Sequence, residues 1–282
     1  MIDPKMLYLG FLGLSVISIA IMYRMRLLSL PSAKDETGLA LMSPLIGFLL
    51  FLGTCAYVPR WVDQILHYFD THGISAFLQT ELAVWSQLVT MVVALVLLVG
   101  FTCIHSQEIQ SRIWAMKPGV KSACISLLKG VMYTVLTYPI VMSLVQLIHI
   151  GLESIGYQVS AEQSAVAHLK GLMSYPVLFW SMVVSVVTIV PVIEELLFRG
   201  LLQNFLQGVL GAKGAIFFAS ILFALFHYTS QQGASNVELM IGLFLYSVFM
   251  GIFYARTRSL WVSIGMHATF NALSVCLMMY VV

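Results

Sequence analysis

Two adjacent glutamates inside an otherwise apolar stretch are the side chains of this sequence best suited to chemistry. Residues 175–199 read YPVLFWSMVVSVVTIVPVIEELLFR, with Glu194, Glu195 and Arg199 near the end. A carboxylate in hydrocarbon is costly, and this makes it a candidate for a functional site. The other Asp and Glu residues fall in the termini, in polar connections or at the ends of apolar runs. The glutamate pair therefore marks the candidate site.

Three further polar side chains follow in later apolar runs. His227 ends one run, and His267 and Asn271 are four residues apart, so they share one face of a helix. A glycine-rich turn near Ala212 would fold the chain back on itself. Glu194 and His227 would then differ in height by only about 5 Å at the helical rise. We expect the acid, the two imidazoles and the amide to meet at one depth.

The two glutamates are expected to have different roles. Neighbouring residues on a helix point about 100° apart, so Glu194 and Glu195 cannot both face one partner. Arg199 stands at i+4 to Glu195, the spacing of an intrahelical ion pair. Glu194 is therefore the candidate general base. Pro191 lacks an N–H group and would bend the helix open beside it.

A peptide hydrolase could be built from these groups. Glu194 and His227 would position and deprotonate a water, while His267 and Asn271 would donate to the tetrahedral oxyanion. Glu194, His227 and His267 also form a plausible ligand set for zinc or another divalent metal with an open position. No HExxH or other compact zinc motif is present, so spacing alone favours the metal-free alternative. No cofactor is certain from the sequence.

The composition predicts an all-α, polytopic membrane protein. Hydrophobic residues make up 60% of the 282 residues and charged residues only 9%, far from the average of a soluble domain. Apolar runs long enough to cross a bilayer predict about eight transmembrane helices, near 6–23, 39–58, 84–104, 123–150, 173–197, 214–230, 237–254 and 260–281. With a net charge of +2 and no basic run, nucleic acid is excluded as a partner. The expected partners are the lipid bilayer and a membrane-associated protein or peptide substrate.

The distribution of basic residues predicts the orientation in the membrane. One set of alternate loops is rich in Lys and Arg, and the other holds only Lys5, Arg60 and Lys170. The positive-inside rule then places both termini outside, in the cell membrane if the source is prokaryotic. The segment 59–83 is expected to be an interfacial helix on the outer side. The four cysteines show no CxxC spacing and are expected to be free thiols.

The polar residues form three motifs in order. They are Glu194-Glu195-x-x-x-Arg199, Phe223-x-x-x-His227 and His267-x-x-x-Asn271. At these residues the chain resembles the CAAX-protease and bacteriocin-processing (CPBP, or Abi) family of intramembrane endopeptidases, whose motifs are EExxxR, FxxxH and HxxxN. The resemblance covers roughly 173–276. We therefore divide the chain into 1–172, transmembrane helices without a recognisable motif, and 173–282, a catalytic membrane core.

The resemblance implies a membrane-embedded protease whose eukaryotic relatives remove the last three residues of prenylated CAAX proteins. In that family the first glutamate activates the water, which corresponds to Glu194 here. Metal-dependent and metal-free catalysis have both been considered for the family. The substrate would be a membrane-associated protein of the prenylated CAAX type or a leader peptide.

Two other functions compete with the protease. Buried glutamate and histidine could form the proton relay of a membrane transporter. Transporters usually contain repeats with discontinuous helices in matching positions, and no repeat is visible in this sequence. A non-catalytic membrane scaffold or immunity protein is the third possibility, because retained motifs do not prove turnover.

Overall fold

The computed structural model describes residues 4–30, 39–69, 76–114, 119–157, 164–233 and 235–281, and it is built from helices. The part that precedes the motifs comprises α1 (Pro4–Arg24), α2 (Met42–Phe69), α3 (Ala76–Cys103), α4 (Gln107–Ile113), α5 (Val120–Ser154) and α6 (Ser164–Gly171). The motif-bearing part comprises α7 (Pro176–Val184), a π-helical turn (Ser185–Ile189), α8 (Val190–Glu195), a second π-helical stretch (Leu196–Gln203), α9 (Asn204–Phe226), a 3₁₀ turn (Ser230–Gln232), α10 (Ser235–Thr257) and α11 (Leu260–Val281).

The described helices confirm an all-α, integral membrane protein. Six helical segments are long and apolar enough to cross a bilayer, and Tyr8–Arg24 is a shorter apolar helix. The four cysteines are free thiols, as the sequence predicts. The placement of both termini on the outer side of the membrane stays a prediction.

One of the six segments, Pro176–Phe226, contains a reversal of chain direction. It is 51 residues long, but Gly211 within it has φ 69° and ψ 172°. The Phe198 ring packs against Phe223 at 5.1 Å between centroids, whereas a straight helix would separate these residues by about 37 Å. Glycine adopts the positive φ without a Cβ clash. Division at Gly211, together with the shorter helix, gives the expected eight apolar helices among the described residues.

The expectation of a separate interfacial helix over 59–83 is wrong. α2 continues without a break through Pro59 to Phe69, and α3 already begins at Ala76. Residues 70–75 lie outside the described part. At 28 residues, α2 is about 42 Å long, more than the roughly 30 Å of hydrocarbon. The more polar residues from Pro59 onward therefore continue the same helix.

Close contact between α5 and α11 positions the last motif. A Cβ at Gly130 would lie 2.5 Å from the Val262 carbonyl oxygen, and one at Gly265 would lie 2.6 Å from the Leu127 carbonyl oxygen. The two backbones therefore touch where they cross, as small residues allow in membrane helix packing. His267 follows Gly265 by two residues, so a helix without any motif determines where this histidine stands.

We predict that Gly130→Ala and Gly265→Ala each lower the free energy of unfolding by about 1–3 kcal/mol, because the added methyl group forces the helices apart. Thermal unfolding in detergent measures the change. Gly100→Ala on α3 is the matched control, since nothing lies within 4 Å of its Cβ position. A Gly265→Ala protein as stable as the control would contradict the close crossing.

Candidate active site

Glu194, His227 and His267 converge at one point inside the helical bundle. Glu194 Oε2 lies 3.6 Å from His227 Nε2 and 3.8 Å from His267 Nε2. The three side chains come from α8, from the end of α9 and from α11, and the reversal at Gly211 returns the chain to the depth of α8. These separations are too long for direct hydrogen bonds. They suit one water that bridges all three groups.

Both histidines are held by their Nδ1 atoms. His227 Nδ1 donates to the Phe223 carbonyl at 2.8 Å, and His267 Nδ1 donates to Glu195 Oε1 at 2.9 Å. A ring that donates from Nδ1 turns its Nε2 atom to the other side. Both Nε2 atoms therefore face Glu194, whose buried Oε2 has no hydrogen-bond partner in the described structure. The carboxylate oxygen is available to a reacting molecule.

Glu195 belongs to a buried network that orients His267. Arg199 Nη1 donates to Glu195 Oε1 at 2.9 Å, and both side chains are inaccessible to solvent. The other terminal nitrogen of Arg199 donates to the Ser247 hydroxyl at 2.6 Å and to the Ser247 carbonyl at 3.2 Å. The guanidinium also lies 4.7 Å from the centre of the Phe223 ring. A buried charge persists only when paired in this way, so Glu195 supports the site while Glu194 faces it.

Asn271 completes the π-helical turn that precedes the glutamates. The Val190 N–H group bonds to the Ser185 carbonyl, and Pro191 has no N–H group, so the Val186 carbonyl loses its helical partners. The Asn271 amide donates to that carbonyl at 2.9 Å. One N–H group of Asn271 is thus committed to the backbone of the neighbouring helix. Such π-turns frequently occur at functional sites.

Two residues that the motifs do not mark hold the backbone next to His267. The Tyr246 hydroxyl donates to the Met266 carbonyl at 2.8 Å, and Thr134 Oγ1 lies 2.9 Å from the same hydroxyl. The sequence offers no signal for them, because polar residues in apolar helices often bond only within their own helix. The sequence offers no signal for Ser247 for the same reason.

A cavity of about 400 Å³ opens beside these groups. Its walls are mainly apolar side chains of α6, the π-turn, α10 and α11, and its polar groups include Glu194, His227, His267 and Asn271. An apolar pocket with a few convergent polar groups is the usual form of a substrate site.

Glu194, His227 and His267 are the candidate ligands of a divalent metal. Among the described residues, no group of three or more His, Cys, Asp or Glu side chains is arranged to hold a metal ion. Glu194, His227 and His267 form no such group in the described structure. Their role as ligands of zinc or another divalent metal stays a prediction.

We predict that Arg199→Met lowers the free energy of unfolding by about 3–5 kcal/mol, because it leaves the buried Glu195 carboxylate unpaired. The double variant Glu195→Met/Arg199→Met should recover part of this loss while His267 stays without its acceptor. Arg112→Met is the matched control, since Arg112 pairs with Glu108 at the same spacing on an exposed surface. Its loss should be only about 0–1 kcal/mol. Equal losses in Arg199→Met and the control, by thermal unfolding, would contradict the network.

We predict that Asn271→Ala destabilises the protein by about 1–3 kcal/mol, because the half-buried Val186 carbonyl is left without a donor. The control is Thr269→Ala, since the Thr269 hydroxyl bonds only to Gly265 of its own helix. Thermal midpoints in detergent compare the two. A midpoint of Asn271→Ala equal to that of the control would mean that the amide does not hold the π-turn.

The comparisons with known proteins agree with this geometry. Residues 176–273 match the family model described as type II CAAX prenyl endopeptidase Rce1-like, a range that contains all three motifs. No curated protein and no solved structure matches the chain. The resemblance drawn from the motifs is thereby confirmed. Residues 176–273, the part of the chain that carries all three motifs, are thus similar to the type II CAAX prenyl endopeptidases of the CAAX-protease family.

Proposed function

We propose that this protein hydrolyses a peptide bond of a membrane-associated substrate with a water that Glu194 activates. The observation that carries the proposal is the Glu194 Oε2 atom, buried and without a hydrogen-bond partner, opposite two imidazole Nε2 atoms. A general base needs an unoccupied lone pair within reach of its water. The family match and the adjoining apolar cavity support a peptide substrate that lies within the membrane.

Glu194 and His227 can together carry out the hydrolysis of a peptide bond. Glu194 takes one proton from the water while the hydroxide oxygen bonds to the carbonyl carbon of the substrate. His227, through its Nε2 lone pair, accepts the other water proton in a hydrogen bond and so orients the water. Glu194 then returns its proton to the leaving nitrogen, and the carbon–nitrogen bond breaks. The products are a carboxylic acid and an amine.

We assign the stabilisation of the oxyanion to His267. Its Nδ1 donates to Glu195 Oε1, and a carboxylate in this position stabilises an imidazolium. A proton on Nε2 would then point into the cavity, where it can donate to the developing negative charge. Asn271 was expected to share this role, but one of its N–H groups bonds to Val186. We therefore assign Asn271 mainly to holding the π-turn.

The substrate is expected to be a prenylated CAAX-type protein or a leader peptide. The experiment is cleavage of a panel of prenylated and unprenylated peptides by detergent-purified protein.

We predict that Glu194→Gln lowers kcat by about 10²–10⁴-fold, because the amide cannot take the water proton. Glu153→Gln, which changes an exposed glutamate away from the cavity, should leave the rate unchanged. His227→Ala and His267→Ala should also be inactive, with His149→Ala as their control.

Each result has a definite meaning. Cleavage by Glu194→Gln at the rate of wild type would contradict the assignment of Glu194. Activity that a chelator abolishes would favour the metal alternative over a free water. Wild-type protein that cleaves no peptide of the panel would contradict the protease and favour a transporter with a Glu/His relay or a non-catalytic scaffold.

A further inference from the structure

The cavity extends well beyond the catalytic groups. It begins at Glu194 and His267 and reaches Met278 of α11 and Leu169 of α6. His267 and Met278 are eleven residues apart on α11, about 16 Å at the helical rise. An extended peptide that rises about 3.3 Å per residue would fit about five residues into this length. The space is therefore longer than the three residues that follow the cysteine of a CAAX sequence.

The described walls of this cavity carry no fixed positive charge. No Lys or Arg is among the described lining residues, and Glu194 is the carboxylate that lines it. Away from His267, a free carboxylate or a charged side chain would lose its water without gaining a partner, which is costly. The part of the substrate that lies here should therefore be uncharged and apolar.

One polar side chain in the wall indicates that the cavity binds a peptide backbone. Gln232 lines the cavity and is only 4% exposed, yet its Oε1 atom accepts no hydrogen bond in the described structure. Buried polar atoms are nearly always paired, so an exception needs an explanation. An extended peptide supplies N–H donors along its whole length. The free oxygen of Gln232 is thus matched to a donor that every substrate sequence carries.

The turn that bears Gln232 is held in place. Asn236 Oδ1 accepts from the Thr229 N–H at 3.2 Å, and its amide donates to the Thr229 carbonyl at 2.6 Å and to the Gly233 carbonyl at 3.2 Å. Asn236 is itself buried. A side chain on a fixed turn loses little freedom when it binds, which favours affinity.

We propose that Gln232 binds the substrate by accepting a hydrogen bond from a backbone N–H of an uncharged, apolar, extended segment of about five residues. This proposal rests on the proposed function and adds the class of peptide that the cavity takes. Recognition through the backbone makes the site tolerant of sequence, while the apolar walls require side chains without charge.

The test compares amide and ester bonds in the substrate. The probe is a set of amidated peptides of Ala, Leu, Val and Ile, each with one backbone amide replaced by an ester that cannot donate. We predict that the wild-type kcat/KM falls about tenfold for an ester at one position only, the size of one hydrogen bond. In Gln232→Met, which keeps the length and lacks the acceptor, the amide and the ester at that position should be cleaved equally. Gln64→Met, an exposed glutamine on α2, should behave as wild type.

The outcomes separate this proposal from the proposed function. Equal cleavage of amide and ester peptides by the wild type, with Glu194→Gln inactive, would overturn the role of Gln232 and leave the protease in place. A strong preference for the free acid over the amidated peptide would overturn the uncharged cavity. If the wild type cleaves no peptide, the protease and this proposal fall together.

Discussion

The buried ion pair of Glu195 and Arg199 is the interaction on which the site depends. Neither charged side chain is exposed to solvent. Each charge is therefore stable only because the opposite charge and hydrogen-bonding groups surround it. The pair connects three elements, since Arg199 also bonds to Ser247 of α10 and Glu195 holds His267 of α11. Bulk water does not replace a lost partner here, because both side chains are inaccessible to solvent. The orientation of His267 is therefore tied to the integrity of the bundle.

The π-helical turns are the second constraint. The π-turn leaves the Val186 carbonyl without its α-helical donor. Pro191 has no N–H group that could donate to this carbonyl instead. Asn271 fills that role from a different helix. The same side chain thereby joins the segment that carries Glu194 to the helix that carries His267. One hydrogen bond thus contributes both to the position of Glu194 and to the packing of the two helices.

Much of the fold and site could be predicted from the sequence because the membrane restricts the alternatives. The length of apolar runs predicts the helices, and the i+4 spacing of Glu195 and Arg199 predicts their pair. The cost of a charge in hydrocarbon singles out Glu194. With the reversal near Gly211, helical rise then brings His227 to the same depth.

The remaining features depend on tertiary contacts that local pattern does not encode. α2 continues as a helix past Pro59, whereas the polarity of 59–83 predicts an interfacial helix. The contact of Gly130 with α11 requires the crossing point of two helices. The free oxygen of Gln232 follows from a turn that Asn236 fixes. None of these has a spacing that distinguishes it from an ordinary apolar or polar stretch.

We propose that Glu194 activates a water and does not itself attack the substrate. The most direct test is a single turnover of wild-type enzyme in water enriched in heavy oxygen, with mass analysis of the new carboxylate and of Glu194. A general base predicts one heavy oxygen in the product of the first turnover and none in Glu194. A light-oxygen product with label in the Glu194 side chain would show a covalent anhydride and contradict this account.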